Sequence, residues 1–175
     1  MNPLVLILMG SDSDLGTMSE CCKELERFGV SFEIHVSSAH RTPAKTEKLV
    51  KEAEARGVKV LVCAAGGAAH LAGVAAALTS LPVLAVPILT TALAGADSLY
   101  SMVQMPQGIP VGTFAIGKAG AGNAGIFAAE IIGLSDAGVA AKLKAFKKEM
   151  AEKVEKKDAE LQSKGFKKYL EDQKA

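Results

Sequence analysis

The sequence predicts an α/β fold, a parallel sheet covered by helices on both faces. Three observations carry this: apolar runs of strand length recur along the chain, segments of helical periodicity separate them, and polar or Gly-rich turns close the first three strands. A strand buried on both faces reads as an unbroken apolar run rather than as an alternation, and LVLILM and PVLAVP are of that kind.

Leu4–Met9 predicts the first strand, ended by the turn and cap residues GSDSD at 10–14. Leu15, Met18, Cys22, Leu25 and Phe28 then fall on one helix face. Phe32–Ser37 sets Phe32, Ile34 and Val36 against Glu33 and His35, which predicts a second strand with His35 in a structural place. A loop at 38–43 leads into a helix over Ala44–Arg56, with Leu49, Val50 and Ala53 inward. Val58–Ala64 is the third strand, Ala65–Ala69 a Gly-rich loop and Leu71–Thr79 a helix of small residues. Pro82–Pro87 and Val111–Ile116 complete the strands, and a helix follows over Ala121–Ile132. After Leu134 the chain turns lysine-rich, with Leu143, Phe146, Met150 and Val154 on one stripe. A second short helix with Leu161, Phe166, Tyr169 and Leu170 is expected after a break near Gly165. The expected division is an α/β domain over 1–134 and a helical extension over 135–175, packed on its own domain or on a neighbouring subunit.

A chain of 175 residues suffices for one domain with a real core. Its 20 basic and 19 acidic residues leave a net charge of +1, which excludes a strongly basic nucleic-acid or acidic-membrane binder. A hydrophobic content of 49% excludes a disordered chain. Charge is unevenly placed: residues 141–175 carry 11 lysines against seven acidic residues, whereas Asp97, Lys118 and Glu130 are the only formal charges between 60 and 135. So long a charge-poor stretch predicts surface covered by other copies of the chain. Leu71–Ala96 has no charge, but Pro82 and Pro87 interrupt it and no Lys or Arg flanks it, so no membrane span is expected. The first residues lack a basic region of the signal-peptide kind, and a cytoplasmic location is expected. Cys21, Cys22 and Cys63 are odd in number and lack C-x-x-C spacing, which predicts reduced thiols and no zinc.

Ligands of parallel sheets bind beyond the carboxyl ends of the strands, where three polar loops are expected. In GSDSD, free backbone N–H groups and the Ser11 and Ser13 hydroxyls favour an anion, although helix capping by Ser13 or Asp14 explains the same residues. In SAHRTP at 38–43, Arg41 suits bidentate phosphate recognition and His40 can exchange protons near neutral pH. Gly66, Gly67 and Ala68 present almost no side chain ahead of His70, so a substrate can lie against the backbone there. Residues 120–125 match G-x-G-x-x-G literally. No second strand ending in an acidic residue follows, so these glycines are expected to serve close packing rather than a dinucleotide.

Taken in order, GSDSD (10–14), SAHRTP (38–43), AGGAAHLAG (65–73), DSLYSMVQMPQGIPVG (97–112) and GKAGAGNAG (117–125) resemble the 5-(carboxyamino)imidazole ribonucleotide mutase family of purine biosynthesis, over about residues 4–133. The resemblance implies a flavodoxin-like three-layer α/β/α subunit, a homo-octamer and a reaction without cofactor or metal. That reaction moves a carboxylate from the exocyclic nitrogen of an aminoimidazole nucleotide to ring carbon 4. By similarity Ser11, Ser38 and Arg41 hold the 5′-phosphate and Asp14 the ribose hydroxyls. His40 transfers the proton, Gly66, Gly67 and Ala68 line the carboxylate pocket, and His70 supports. The chain departs from the family's usual pattern at Ala72, where Pro is common, at Val74, where Met is common, and at Ser37, typically apolar. Two other activities remain open at this point. A carboxylase branch of the superfamily uses free carbon dioxide but typically departs from AGGAAHL, which this chain keeps; a redox nucleotide-binding module would use the glycines at 120–125.

Overall fold

A computed structural model of the chain describes residues 2–173. Its five strands are β1 (Val5–Met9), β2 (Phe32–Val36), β3 (Val60–Ala65), β4 (Val83–Pro87) and β5 (Gly112–Thr113). All pairs are parallel, in the order β2-β1-β3-β4-β5, the strand order of flavodoxin-like folds. The helices are α1 (Leu15–Phe28), α2 (Pro43–Lys51), α3 (Leu71–Leu78), α4 (Ala96–Val103), α5 (Lys118–Gly133), α6 (Ala137–Lys164) and α7 (Phe166–Asp172).

The unbroken apolar run of β1 has a direct explanation in this arrangement. Val5, Ile7 and Met9 face one core with Met18, Leu25 and Phe28 of α1 and Ala124 and Ala128 of α5, while Leu6 and Leu8 face the other with Val50, Leu71, Ala75 and Met102. Each side chain is removed from water on whichever face it takes, at about 1.5–3 kcal/mol for a large apolar group. The three layers expected from sequence are therefore present. Among the described residues, no helix is long and apolar enough to cross a membrane.

The largest differences from the sequence reading fall at α2, β5, α5 and α4. The helix expected over Ala44–Arg56 is α2 followed by a 3-10 turn at Glu54–Arg56. The Ala53 N–H donates to Val50 O at 3.2 Å and the Arg56 N–H to Ala53 O at 3.1 Å, bonds three residues back that tighten the chain; the Val58 N–H then reaches back to Ala53 O at 3.1 Å, and Ala53 and Val58 are both buried ahead of β3. The fifth strand, expected over Val111–Ile116, pairs only at Gly112 and Thr113. Phe114 N–H still reaches Ala85 O at 2.9 Å, but the next parallel bond requires an N–H from position 87, and Pro87 has none. The helix expected over Ala121–Ile132 begins earlier, at Lys118, and α4 was not foreseen from periodicity.

The lysine-rich extension forms the two helices expected, broken at Gly165 with φ 72°. Asp136 caps α6 by accepting the Val139 N–H at 3.0 Å. The expected stripe packs only through its first half. Val139 and Leu143 are buried, and Phe146 meets Phe28 edge-on at 5.5 Å, whereas Met150 and Val154 remain exposed. Lys142 Nζ donates to Phe28 O at 2.9 Å, satisfying a carbonyl at the end of α1.

Candidate active site

After β1 the chain adds β2 on one side, then returns to add β3 on the other. The turns following these three strands therefore crowd together where the strand order reverses. The first turn is rigid. Ser11 caps the 3-10 turn Asp12–Asp14 by accepting the Ser13 N–H, while Asp14 accepts the Ser11 N–H at 3.2 Å, a reciprocal capping box. Burial raises the Asp14 carboxyl above its ordinary value, against the opposing pull of the Ser11 N–H, the Ser13 hydroxyl and the Arg41 charge; nearby Asp12 adds slightly to the rise.

The second turn folds on its own hydroxyls. Ser38 N–H donates to Thr42 Oγ1 at 2.9 Å and Arg41 N–H to Ser38 Oγ at 3.1 Å. The Arg41 side chain reaches back, so that its guanidinium donates to Gly10 O at 2.7 Å and bridges the first two turns. Ser37 is buried with its hydroxyl 2.8 Å from Thr46 Oγ1, so its polarity is satisfied. The third turn ends at His70, the residue before α3. His40 Nε2 lies 2.9 Å from His70 Nδ1, with the rings at 79°. One imidazole must donate and the other accept, so this contact couples the tautomer of each ring to that of its neighbour.

These turns surround a cavity of about 440 Å³. Ser11, Asp14, Ser38, His40, Arg41, Gly66, Ala68 and His70 all line it, as expected from the sequence. Gly67 is not part of the lining. Its φ is 69° and its N–H donates to Ser98 Oγ of α4 at 3.0 Å, so it shapes the turn from behind. The lining also includes Leu71, Ile88 and Leu89, to which the sequence reading gives no role, and Ser13, which it names only among the hydroxyls that favour an anion. Helix capping explains Ser13 equally well, and Leu89 lies past the expected fourth strand, Pro82–Pro87, where no motif marks it. By strand order, the β2–β1 side is polar and charged and the β3–β4 side apolar, with the imidazole pair joining them.

The glycines at 120–125 lie inside α5, not in a strand-to-helix turn, and none lines the cavity. A Cβ on Gly120 would overlap the Ala115 carbonyl oxygen, and one on Gly125 would stand 2.7 Å from Cys21 O of α1. These two glycines serve close packing, as expected; Gly122 meets nothing within 4 Å. The redox-module alternative thus loses its phosphate loop. His35 lies on β2, 3.6 Å from Glu33 and outside the cavity. Cys21, Cys22 and Cys63 are unpaired; burial pushes the thiols of Cys21 and Cys63 up to about 12, which leaves them unreactive. Among the described residues no group of three His, Cys, Asp or Glu side chains is placed to hold a metal ion.

Comparison with known proteins agrees in fold and in extent. The chain is 56% identical over 148 residues to the N5-carboxyaminoimidazole ribonucleotide mutase of Vibrio vulnificus, covering 85% of this chain and 92% of that protein. It is 51% identical over 168 residues to the mutase of the same name from Pyrococcus horikoshii, covering 96% and 94%. The crystal structure of Treponema denticola PurE superposes with a TM-score of 0.83 at 34% identity, covering 91% of this chain and 98% of that one. The model of the AIR carboxylase family matches residues 4–153, and with these full-length likenesses the chain belongs to that family.

Proposed function

We propose that this enzyme is a mutase of de novo purine biosynthesis, an isomerase converting 5-(carboxyamino)imidazole ribonucleotide to 4-carboxy-5-aminoimidazole ribonucleotide. The observation that carries the reading is the convergence of Arg41, Asp14 and the His40–His70 pair on one cavity with an apolar far wall. Ser11, Ser38 and Arg41 hold the 5′-phosphate, and Asp14 accepts hydrogen bonds from the ribose. His40 is the catalytic acid and base. As the carbamate C–N bond breaks, His40 supplies the proton taken up by the exocyclic nitrogen, and carbon dioxide is held in the pocket. Carbon 4 then attacks it, and as the new C–C bond forms the proton lost from carbon 4 returns to His40, so protons balance over the cycle. Gly66, Gly67 and Ala68 shape the pocket around the carboxylate. His70, at hydrogen-bond distance, holds His40 in one tautomer. Exclusion of water matters because carbon dioxide that escapes defeats the transfer, and the apolar wall of Ala65, Leu71, Ile88 and Leu89 supports that requirement.

The catalytic unit in this reading is residues 1–134, and 135–175 are a helical extension that packs on its own or a neighbouring subunit. A homo-octamer is supported by the charge-poor stretch and by the exposed apolar residues within it, among them Leu93, Tyr100, Val103, Phe127 and Leu134. Unpaired thiols support a reducing compartment, the cytoplasm. A small nucleotide is the partner, not a nucleic acid or a membrane.

The test follows a carbon-13 label from the carbamate to ring carbon 4 in the absence of ATP, metal and added bicarbonate. Wild-type protein should retain the label on carbon 4. His40→Asn should abolish the transfer while phosphate affinity stays close to that of the wild type. Label lost to solvent carbonate in step with product formation would overturn the mutase reading in favour of a carboxylase.

A further inference from the structure

We infer that Ser98 of α4 is a positioning residue for this reaction, holding the Gly67 peptide so that the turn carrying His70 presents its imidazole to His40. The inference rests on the mutase reading and deepens it. Ser98 is fully buried, and its hydroxyl has two partners: it donates to Ile88 O at 2.8 Å and accepts the Gly67 N–H at 3.0 Å. One turn further along α4, the Ser101 hydroxyl lies 3.3 Å from Gly67 O, beside its shorter bond to Asp97 O. Both polar groups of Gly67 are thus engaged by one helix, in a left-handed conformation that most side chains rarely adopt.

Only Ala68 and Ala69 stand between this latch and His70, and neither has a polar side chain with which to hold the turn itself. The fixed points are therefore the Ala69 N–H bond to Gly67 O at 2.8 Å, the His70 N–H bond to Ala68 O at 2.9 Å, and the grip of α4. The helix in turn is tied down at its start. Thr90 Oγ1 donates to Asp97 Oδ1 at 2.7 Å and accepts the Gly95 N–H at 3.1 Å. Because Ile88 and His70 both line the cavity, one hydroxyl joins the two segments that make its β3–β4 side. A buried hydroxyl costs free energy unless its bonds are made, and alanine would fill this site if packing were the only demand. The polar residues assigned to phosphate, Ser11, Ser38 and Arg41, are on other turns and make no hydrogen bond to Ser98. Loss of the hydroxyl should therefore act on the chemical step rather than on binding.

The experiment compares Ser98→Ala and Ser98→Cys with wild type in the carboxylate shift, and reads imidazole nitrogen-15 resonances in the intact, histidine-labelled protein. Removing the hydroxyl should lower kcat about ten- to a hundred-fold, the scale of a misplaced reacting group. The cysteine, a weaker acceptor, should fall between, and KM should change by less than about two-fold in both. The resonances of the His40–His70 contact should move in the alanine variant. An unchanged kcat, unmoved resonances, or kcat falling only in proportion to the folded fraction would overturn the inference, and if the alanine variant does not fold the cysteine variant decides. A wild-type chain without turnover would overturn the mutase reading instead, and the resonances would still decide whether Ser98 sets the imidazole pair.

Discussion

Asp14 is held at the pocket edge with little water around it, and three favourable partners do not fully compensate for that loss. Its carboxyl is raised, so the folded state binds the proton more tightly than the unfolded chain. The sign follows from linkage: this group's contribution is most favourable in acid and declines as pH rises from the ordinary carboxylate value through the raised one. Asp14→Asn removes the penalty. The variant should melt higher than wild type at pH 7, and the gap should shrink on acidification toward pH 4; paired thermal melts across that range check this, and a gap that widens in acid would refute it. Activity should fall in the same variant if Asp14 holds the ribose, since a site residue kept charged against burial trades stability for binding.

Helices α1 and α5 approach closely because Gly125 leaves room for the backbone of Cys21. Gly→Ala inside a helix ordinarily stabilises by about 0.5–1 kcal/mol, but here the new methyl meets a carbonyl oxygen that cannot swing aside. Overpacking should win: Gly125→Ala is expected to lower stability by about 1–3 kcal/mol, read from the midpoint of urea unfolding. Gain of stability would show that the two helices can separate freely. The same comparison explains how far local pattern reaches. β1 and the turns at 10–14 and 38–43 were legible because an apolar run stops abruptly at polar cap residues, a signal contained within a few positions. The length of β5 was not, because the ladder is ended by Pro87 on the neighbouring strand. Nor was α4, whose buried residues are Ser98 and Met102 rather than a stripe, or the place of Gly67, whose partner stands 31 residues away.

Over the whole molecule, apolar side chains such as Leu134, 87% exposed, and Leu93 and Tyr100 remain uncovered in the single chain. Light scattering of purified protein should give eight times the 18.1 kDa of one chain, and a monomer at micromolar concentration would refute the octamer. Topology also sets an order of events. Every residue that lines the cavity falls between Gly10 and Leu89, whereas α5, which covers Ile7, Val62 and Val86, starts only at Lys118. A ribosome thus delivers the entire binding hollow before it makes the helix that shields half of the sheet. A nascent chain halted ahead of Lys118 would display wet, adhesive strands and be a client for chaperones rather than a partial catalyst.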